Sequence, residues 1–299
     1  GRLSSVEPNL LNIPRAGYDG AFRKTLLPDP GYDLIDADYD GQELVITAIL
    51  AGETSWLEYL AKGWDLHSKN AELIFGDRWK DATEHGCEYY GAVLENDMLI
   101  FPSEENRPYK KCKCKQHQEL RDHSKAVSFG SIYGITYMSL SARLKITEEE
   151  AKFILKRFFE IAPNIEKMMA RFGSYAITNG HIIEPVFGRV RFFDNWKLSV
   201  PEEHGAIRRA AFNTPIQSSG SAILKIAFVL LRRWINQHTL EDYIQLLLPY
   251  HDETIAQSQP YYTETAKQAV AYYMQIAAKL GGFSIKASAK SGSSWFDTH

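Results

Sequence analysis

Arg121, Lys125, Phe129 and Tyr133 recur every four residues in RDHSKAVSFGSIYG, a spacing that lines two cations and two aromatic rings along one side of a helix. Such a stripe suits a nucleotide, because the cations neutralise phosphates and the rings offer flat surfaces to a sugar and base. An ordinary helix can also carry these four types by chance, so the rest of the chain has to supply the chemistry. Asp38 lies near the end of the alternating run YDLIDADY, and Asp252 lies in the triplet His251, Asp252, Glu253 within YIQLLLPYHDETIAQS. Two carboxylates far apart in sequence, one at a strand end and one at a hairpin tip, would converge to hold divalent ions. Hard oxygen ligands suit Mg²⁺, with Mn²⁺ as a substitute. Two such ions about 4 Å apart activate an attacking hydroxyl and neutralise a leaving pyrophosphate. The constellation asks for a nucleoside triphosphate.

The elements that must position these residues are legible in outline. YDLIDADY predicts a strand and GQELVITAILAG a helix ending at Gly52, which places Asp38 at a rigid strand end beside a helix start. From Asp65 to about Phe193 the pattern is mainly helical. It comprises DLHSKNAELIF, the stripe, TEEEAKFILKRFFEIA with Thr147 and Glu150 as a capping box, and a helix opening at Pro163. Residues from about 77 to 118 show no regular pattern and read as an insertion. IIEPVFGRVRFF predicts a hairpin around Gly188. A long helix should then run from about Glu202 through Trp234, with Pro215 as a candidate break. YIQLLLPY and TIAQS read as strands meeting at a tight turn, and GRLSSVEPNLLNIP as an ordered loop or short turns.

The 299 residues are 44% hydrophobic and 24% charged, with a formal net charge of -3. This is a folded-protein composition that excludes coating of nucleic acid by bulk charge. No apolar run is expected to span a membrane. Locally the balance differs: Arg107, Lys110, Lys111, Lys113, Lys115, Arg121 and Lys125 face only Glu119 and Asp122 between residues 107 and 125. A solvated face is the plainer reading of such a run. Three cysteines without a secretory segment point to a reducing, intracellular compartment. Cys112, Cys114 and His117, with His85 and Cys87, have poor zinc spacing and read better as a lysine-rich loop with incidental thiols. The chain opens at Gly1, which suggests processing or truncation.

The motifs taken together resemble the family A DNA polymerases, whose type member is bacterial DNA polymerase I, in a bacterial, viral or phage form. GRLSSVEPNLLNIP looks like the family's template- and primer-contacting segment, DADYDGQEL like its first catalytic motif, RDHSKAVSFGSIYG like its nucleotide-binding helix and YHDE like its second catalytic motif. DLHSKNAELIFG, GRVR, RRAAFNTPIQSSGSA and the terminal SSWFDTH follow in family order. The resemblance implies a DNA-directed DNA polymerase that adds deoxynucleoside triphosphates to a primer 3′ end by two-metal nucleotidyl transfer. Its partners would be primer-template DNA and dNTPs, its cofactor two Mg²⁺ ions, and its place the cytoplasm of a bacterium or of a virus's host. The implied fold is α+β: a palm with an antiparallel sheet (residues 1–60 and 194–299) interrupted by mostly helical fingers (61–193). The family's thumb and exonuclease are absent from this chain and expected in a longer polypeptide or a separate one.

Carried over residue by residue, Asp38 and Asp252 would bind metal with the Tyr39 carbonyl, and Glu253 would support them. Arg121, Lys125 and His67 would hold the triphosphate, Lys125 doubling as proton donor to pyrophosphate, and Phe129 would stack beside the sugar and base. Glu43, partnered by Tyr133, would close the space beside the 2′ carbon against ribonucleotides. Arg2, Asn213, Gln217, Arg209 and His251 would line the primer terminus and minor groove. Simpler readings exist for some: His67 bonded to a neighbouring carbonyl, Asn213 and Gln217 as surface polar residues, Arg209 paired with Glu202 or Glu203. Departures from the family stand at Asp40, Gly41, Gln42, Val45 and Tyr250, and Asp36 or Asp40 could compete as ligands. The alternatives are a single-subunit RNA polymerase, against which Glu43 argues, and a catalytically inactive primer-template-binding module.

Overall fold

The structure is a computed structural model that describes residues 3–7, 9–13, 20–81, 93–95, 98–100 and 114–298. The expectations for Arg2, for the basic run between residues 107 and 113, and for His85, Cys87 and Cys112 lie outside the described residues. In chain order, helix α1 (Ala21–Lys24) leads into strand β1 (Asp33–Tyr39), α2 (Gln42–Ala51), α3 (Thr54–Ala61), α4 (Leu66–Phe75) and α5 (Asp77–Asp81). A short pair, β2 (Val93–Glu95) and β3 (Met98–Ile100), precedes α6 (Lys115–Ile132), α7 (Tyr137–Leu144), α8 (Glu148–Ile161) and α9 (Pro163–Asn179). The hairpin β4 (His181–Ile183) and β5 (Val190–Phe192) follows, then α10 (Asn195–Leu198) and α11 (His204–Gln237). Strands β6 (Ile244–Tyr250) and β7 (Glu253–Ser258), helix α12 (Thr263–Leu280) and β8 (Ala287–Gly292) complete the chain. The fold is α+β, and it forms two compact units: Gly1–Ile46 with Ile183–Arg191 and Thr214–His299, and Thr47–Ile182 with Phe192–Asn213.

The first unit is built on an antiparallel sheet in the order β6-β7-β1-β8. Strand periodicity sends Ile35, Ala37 and Tyr39 to one face of β1 and Leu34, Asp36 and Asp38 to the other. On the first face the Tyr39 hydroxyl donates to the Met274 carbonyl of α12 at 2.7 Å, and burial raises its phenol pKa far above the usual range. On the second face Leu34, Tyr250, Ile255 and Trp295 form a core cluster. The register then fixes chemistry: Asp38 lies opposite Glu253 on β7 and Ser288 on β8.

The second unit buries Trp56, Trp79 and Phe158 completely, with the Trp56 and Phe158 rings edge to face at 6.0 Å. Thr147 caps α8 by accepting from the Glu150 amide at 3.1 Å. The reciprocal half of the expected capping box is replaced, because the Glu150 carboxylate accepts from Arg78 Nη1 at 2.7 Å.

One expectation is corrected in α11. The helix is continuous, with Pro215 inside it, so the proline removes one amide donor without ending the element. By length and composition the segment Pro201–Gln237 also passes as a membrane span, yet 61% of its most apolar stretch is buried inside the protein, as in the core helix of a folded domain.

Candidate active site

In the first unit, Tyr250 and Glu253 close the β6–β7 hairpin as a cross-strand pair, which leaves His251 and Asp252 as its two-residue turn. His251 takes φ 52, a left-handed conformation that costs a side-chain-bearing residue about 1 kcal/mol. The surroundings hold it there. The Tyr250 ring stands edge-on to the His251 ring at 4.4 Å, and the Tyr250 hydroxyl donates to the Ile13 carbonyl at 2.8 Å. Glu253 is buried at 4% exposure, whereas Asp38 and Asp252 are half-buried. Among the described residues no group of three or more His, Cys, Asp or Glu forms a metal-holding cluster. The groups that could hold a divalent ion at this end of the sheet are Asp38, Asp252 and the Tyr39 carbonyl, with phosphate oxygens and water completing its shell. That donor set fits Mg²⁺, which keeps water and substrate oxygens around one or two carboxylates.

The neighbouring aspartates are otherwise engaged. Asp36 accepts at Oδ2 from Trp295 Nε1 at 3.1 Å and Thr298 Oγ1 at 3.4 Å, which ties that oxygen to the C-terminal segment. Asp40 lies beyond the end of β1 and is exposed; partial desolvation raises its carboxyl pKa, with Lys286 opposing.

Glu43 occupies the first turn of α2, and its Oε1 accepts from Gln217 Nε2 at 2.5 Å. Gly220, three residues on in α11, leaves room for the neighbouring Gln42, whose Oε1 would lie 2.5 Å from an added Cβ. A cleft of about 220 Å³ is lined by Ser4, Asn9, Asn12, Ser221, Pro249 and His251, among others. It gathers the N-terminal motif beside the hairpin turn.

In the second unit, Arg121 makes a two-point ion pair with Asp65, Nε to Oδ2 at 2.6 Å and Nη2 to Oδ1 at 2.8 Å. Asp65 also caps α4, accepting from the Ser68 amide at 3.0 Å and the Ser68 hydroxyl at 2.5 Å. Desolvation pushes its carboxyl pKa up, but the hydrogen bonds from Arg121 and Ser68 prevail and hold it below the usual range. His67, 7% exposed, has its imidazole pKa pushed down to about 4, chiefly by burial, with Asp65 opposing and Arg121 and Lys125 adding to the fall. Its Nδ1 is buried without a hydrogen-bond partner. The Phe129 ring lies 5.5 Å from the His67 ring, and Lys125 is exposed.

The stripe is not helical throughout. Helix α6 ends at Ile132, so Tyr133 stands on its C-cap, 42% exposed. Gly134 turns the chain at φ 69, and an added Cβ would lie 2.4 Å from the side chain of Arg209, which crosses it. Arg209 thus lies over the turn that ends the stripe. Asn213, one helical turn before Gln217, has a buried Oδ1 with no hydrogen-bond partner.

Two residues of these sites escape sequence reasoning. Asp65 carries a visible N-cap signal three residues before Ser68, yet nothing local points to Arg121, 56 positions away. Arg23 reads as one base in a short segment but is 2% exposed, with Nη1 4.0 Å from Glu253 Oε2.

Residues 1–86 and 100–297 match the model of DNA polymerase family A. The chain is 29% identical over 259 residues to DNA polymerase I of Caldicellulosiruptor bescii, covering 86% of this chain and 26% of that protein. It is 31% identical over 258 residues to DNA polymerase I of Rhizobium leguminosarum, covering 86% of this chain and 22% of the relative. It therefore spans about a quarter of the length of the curated relatives it matches. The POL domain of Pol1 from M. smegmatis, solved in complex with DNA primer-template and dNTP, superposes with a TM-score of 0.78 at 29% identity, covering 100% of this chain and 46% of that one.

Proposed function

The chain belongs to DNA polymerase family A, and from that premise we propose that it performs template-directed DNA synthesis, transferring a nucleotidyl group from a dNTP to a primer 3′ end. The observation that carries this reading is the pairing of Asp38 with Glu253, because it sets the turn residue Asp252 beside the end of β1. In this reading the palm (residues 1–60 and 194–299) falls mainly in the first unit and the fingers (61–193) mainly in the second.

Asp38 and Asp252 would hold two Mg²⁺ ions, for which Mn²⁺ could stand in. When bound, they supply activation of the primer hydroxyl and neutralisation of pyrophosphate. The protein's own groups bind and orient. Arg121 and Lys125 present positive charge to the triphosphate, and neutral His67 adds a ring nitrogen beside that charge. Lys125, which is exposed, would give a proton to pyrophosphate. Phe129 offers its ring to the sugar and base. Glu43, held by Gln217, occupies the space a 2′-hydroxyl would need, so selection works by exclusion. Tyr39 contributes backbone alone, because its side chain is buried against α12. Asn9, Asn12 and His251 bring polar groups to the cleft where the minor groove of the primer terminus would lie. Primer extension on a primed template, with dNTPs or ribonucleotides supplied in parallel, tests the proposal.

A further inference from the structure

We propose that Arg23 is a positioning residue for the hairpin turn that carries Asp252. The proposal rests on the reading of Asp38 and Asp252 as the metal-holding pair. An arginine in a four-residue helix ordinarily extends into water, but Arg23 is 2% exposed. Its guanidinium carbon sits 4.2 Å from the centroid of the Trp295 ring and 5.4 Å from that of Tyr250. Those two rings meet edge to face at 4.7 Å, which forms an aromatic corner around the cation. Nη1 lies 4.0 Å from Glu253 Oε2.

The geometry gives these contacts a shared purpose. Tyr250 precedes the two-residue turn and Glu253 follows it, so Arg23 grips the turn on both flanks. Its own position is fixed in turn. The Trp295 amide donates to the Leu26 carbonyl at 3.0 Å, and the indole donates to Asp36 at 3.1 Å. Gly20, at φ 70, leads into α1 so closely under Phe296 that an added Cβ would fall 2.3 Å from that ring. The C-terminal segment is thereby pressed onto the helix that bears Arg23.

The arrangement also separates the roles of the acidic residues. Glu253 is the cross-strand neighbour of Asp38, and an unanswered charge on it would repel that carboxylate. With its charge answered by Arg23, Glu253 anchors the turn and leaves Asp38 and Asp252 as the ligand pair. Removing one member of a buried ion pair strands the other charge, whereas removing both is far better tolerated. Arg23→Met should therefore be damaging and Glu253→Gln should repair it.

The test is Mn²⁺ titration of the whole chain followed by electron paramagnetic resonance of the free ion, alongside steady-state primer extension. Arg23→Met should weaken Mn²⁺ binding and lower kcat, each about tenfold, with the dNTP KM unchanged because the dNTP-binding groups are untouched. Adding Glu253→Gln to Arg23→Met should bring Mn²⁺ affinity back to within about threefold of wild type, and Arg23→Lys should retain most of it. A folded Arg23→Met that binds Mn²⁺ as wild type does, or a double variant no better than the single one, overturns the proposal. If Arg23→Met does not fold, recovery of the fold by Glu253→Gln supports it and failure to recover overturns it. A wild-type chain that binds Mn²⁺ yet extends no primer refutes the polymerase reading instead, and the Mn²⁺ comparison still decides the role of Arg23.

Discussion

Arg121 and Asp65 face each other through two parallel hydrogen bonds of 2.6 and 2.8 Å. The pair ties the first cation of α6 to the N-cap of α4, so one carboxylate sets both the arginine and the helix that carries His67. Substitution Asp65→Ala removes cap and partner together. It should cost about 1 kcal/mol for the cap, with a further loss from the largely buried ion pair. The dNTP KM should rise about tenfold because Arg121 loses its preset position. Thermal unfolding and a KM series check both effects, and Asp65→Asn, which keeps a capping oxygen, should recover the stability more than the KM.

His67 predicts an acid-side loss of stability. Its folded pKa of about 4 lies below the ordinary histidine value of 6.5, so the unfolded chain binds the proton more readily between those values. The contribution is fully present above pH 6.5 and is lost as pH falls from there towards 4, up to about 3 kcal/mol for this group. Denaturant unfolding of wild type against His67→Gln at pH 7 and pH 4.5 should show the variant losing less stability on acidification. Parallel losses in both proteins would contradict the assignment.

Glu43 and Gln217 predict a graded sugar selectivity. Glu43→Ala should raise relative ribonucleotide use by about a hundredfold, and Gln217→Ala, which only loosens Glu43, by about tenfold. Competing dNTP and rNTP incorporation at a single template position measures both.

Phe129 predicts a gain of function. A hydroxyl added by Phe129→Tyr would stand near the missing 3′ oxygen of a dideoxynucleotide and replace the contact that nucleotide lacks. Incorporation of dideoxynucleotides relative to dNTPs should improve by about tenfold or more. Unchanged discrimination would exclude Phe129 as the sugar-facing ring.

The parts of this molecule that were legible in the sequence are those fixed by local rules. The alternation of YDLIDADY gave β1, the Thr147 cap and Pro163 gave the starts of α8 and α9, and the charged triplet between apolar runs gave the hairpin turn with Asp252. The Glu150 side chain left its expected cap because Arg78 offers a full charge at 2.7 Å. Pro215 failed to break α11 because the helix is held by buried neighbours such as Ile216 and Phe212, and packing outweighs one missing donor. What could not be read were pairings across long sequence separations. Gln217 stood out as a polar residue, but its bond to Glu43 joins positions 174 apart. Arg23 and Asp65 acquire their meaning only when β7 and α6 are folded against them.

If Asp38 and Asp252 form a metal-dependent nucleotidyl-transfer centre, primer extension by the wild-type chain and by Asp252→Ala, each with and without Mg²⁺, will reveal it. The wild type should extend a primed template with dNTPs only when Mg²⁺ is present, and Asp252→Ala should fall by about a thousandfold or more while remaining folded. Extension by Asp252→Ala at the wild-type rate, or synthesis from ribonucleotides without a primer, would contradict that assignment.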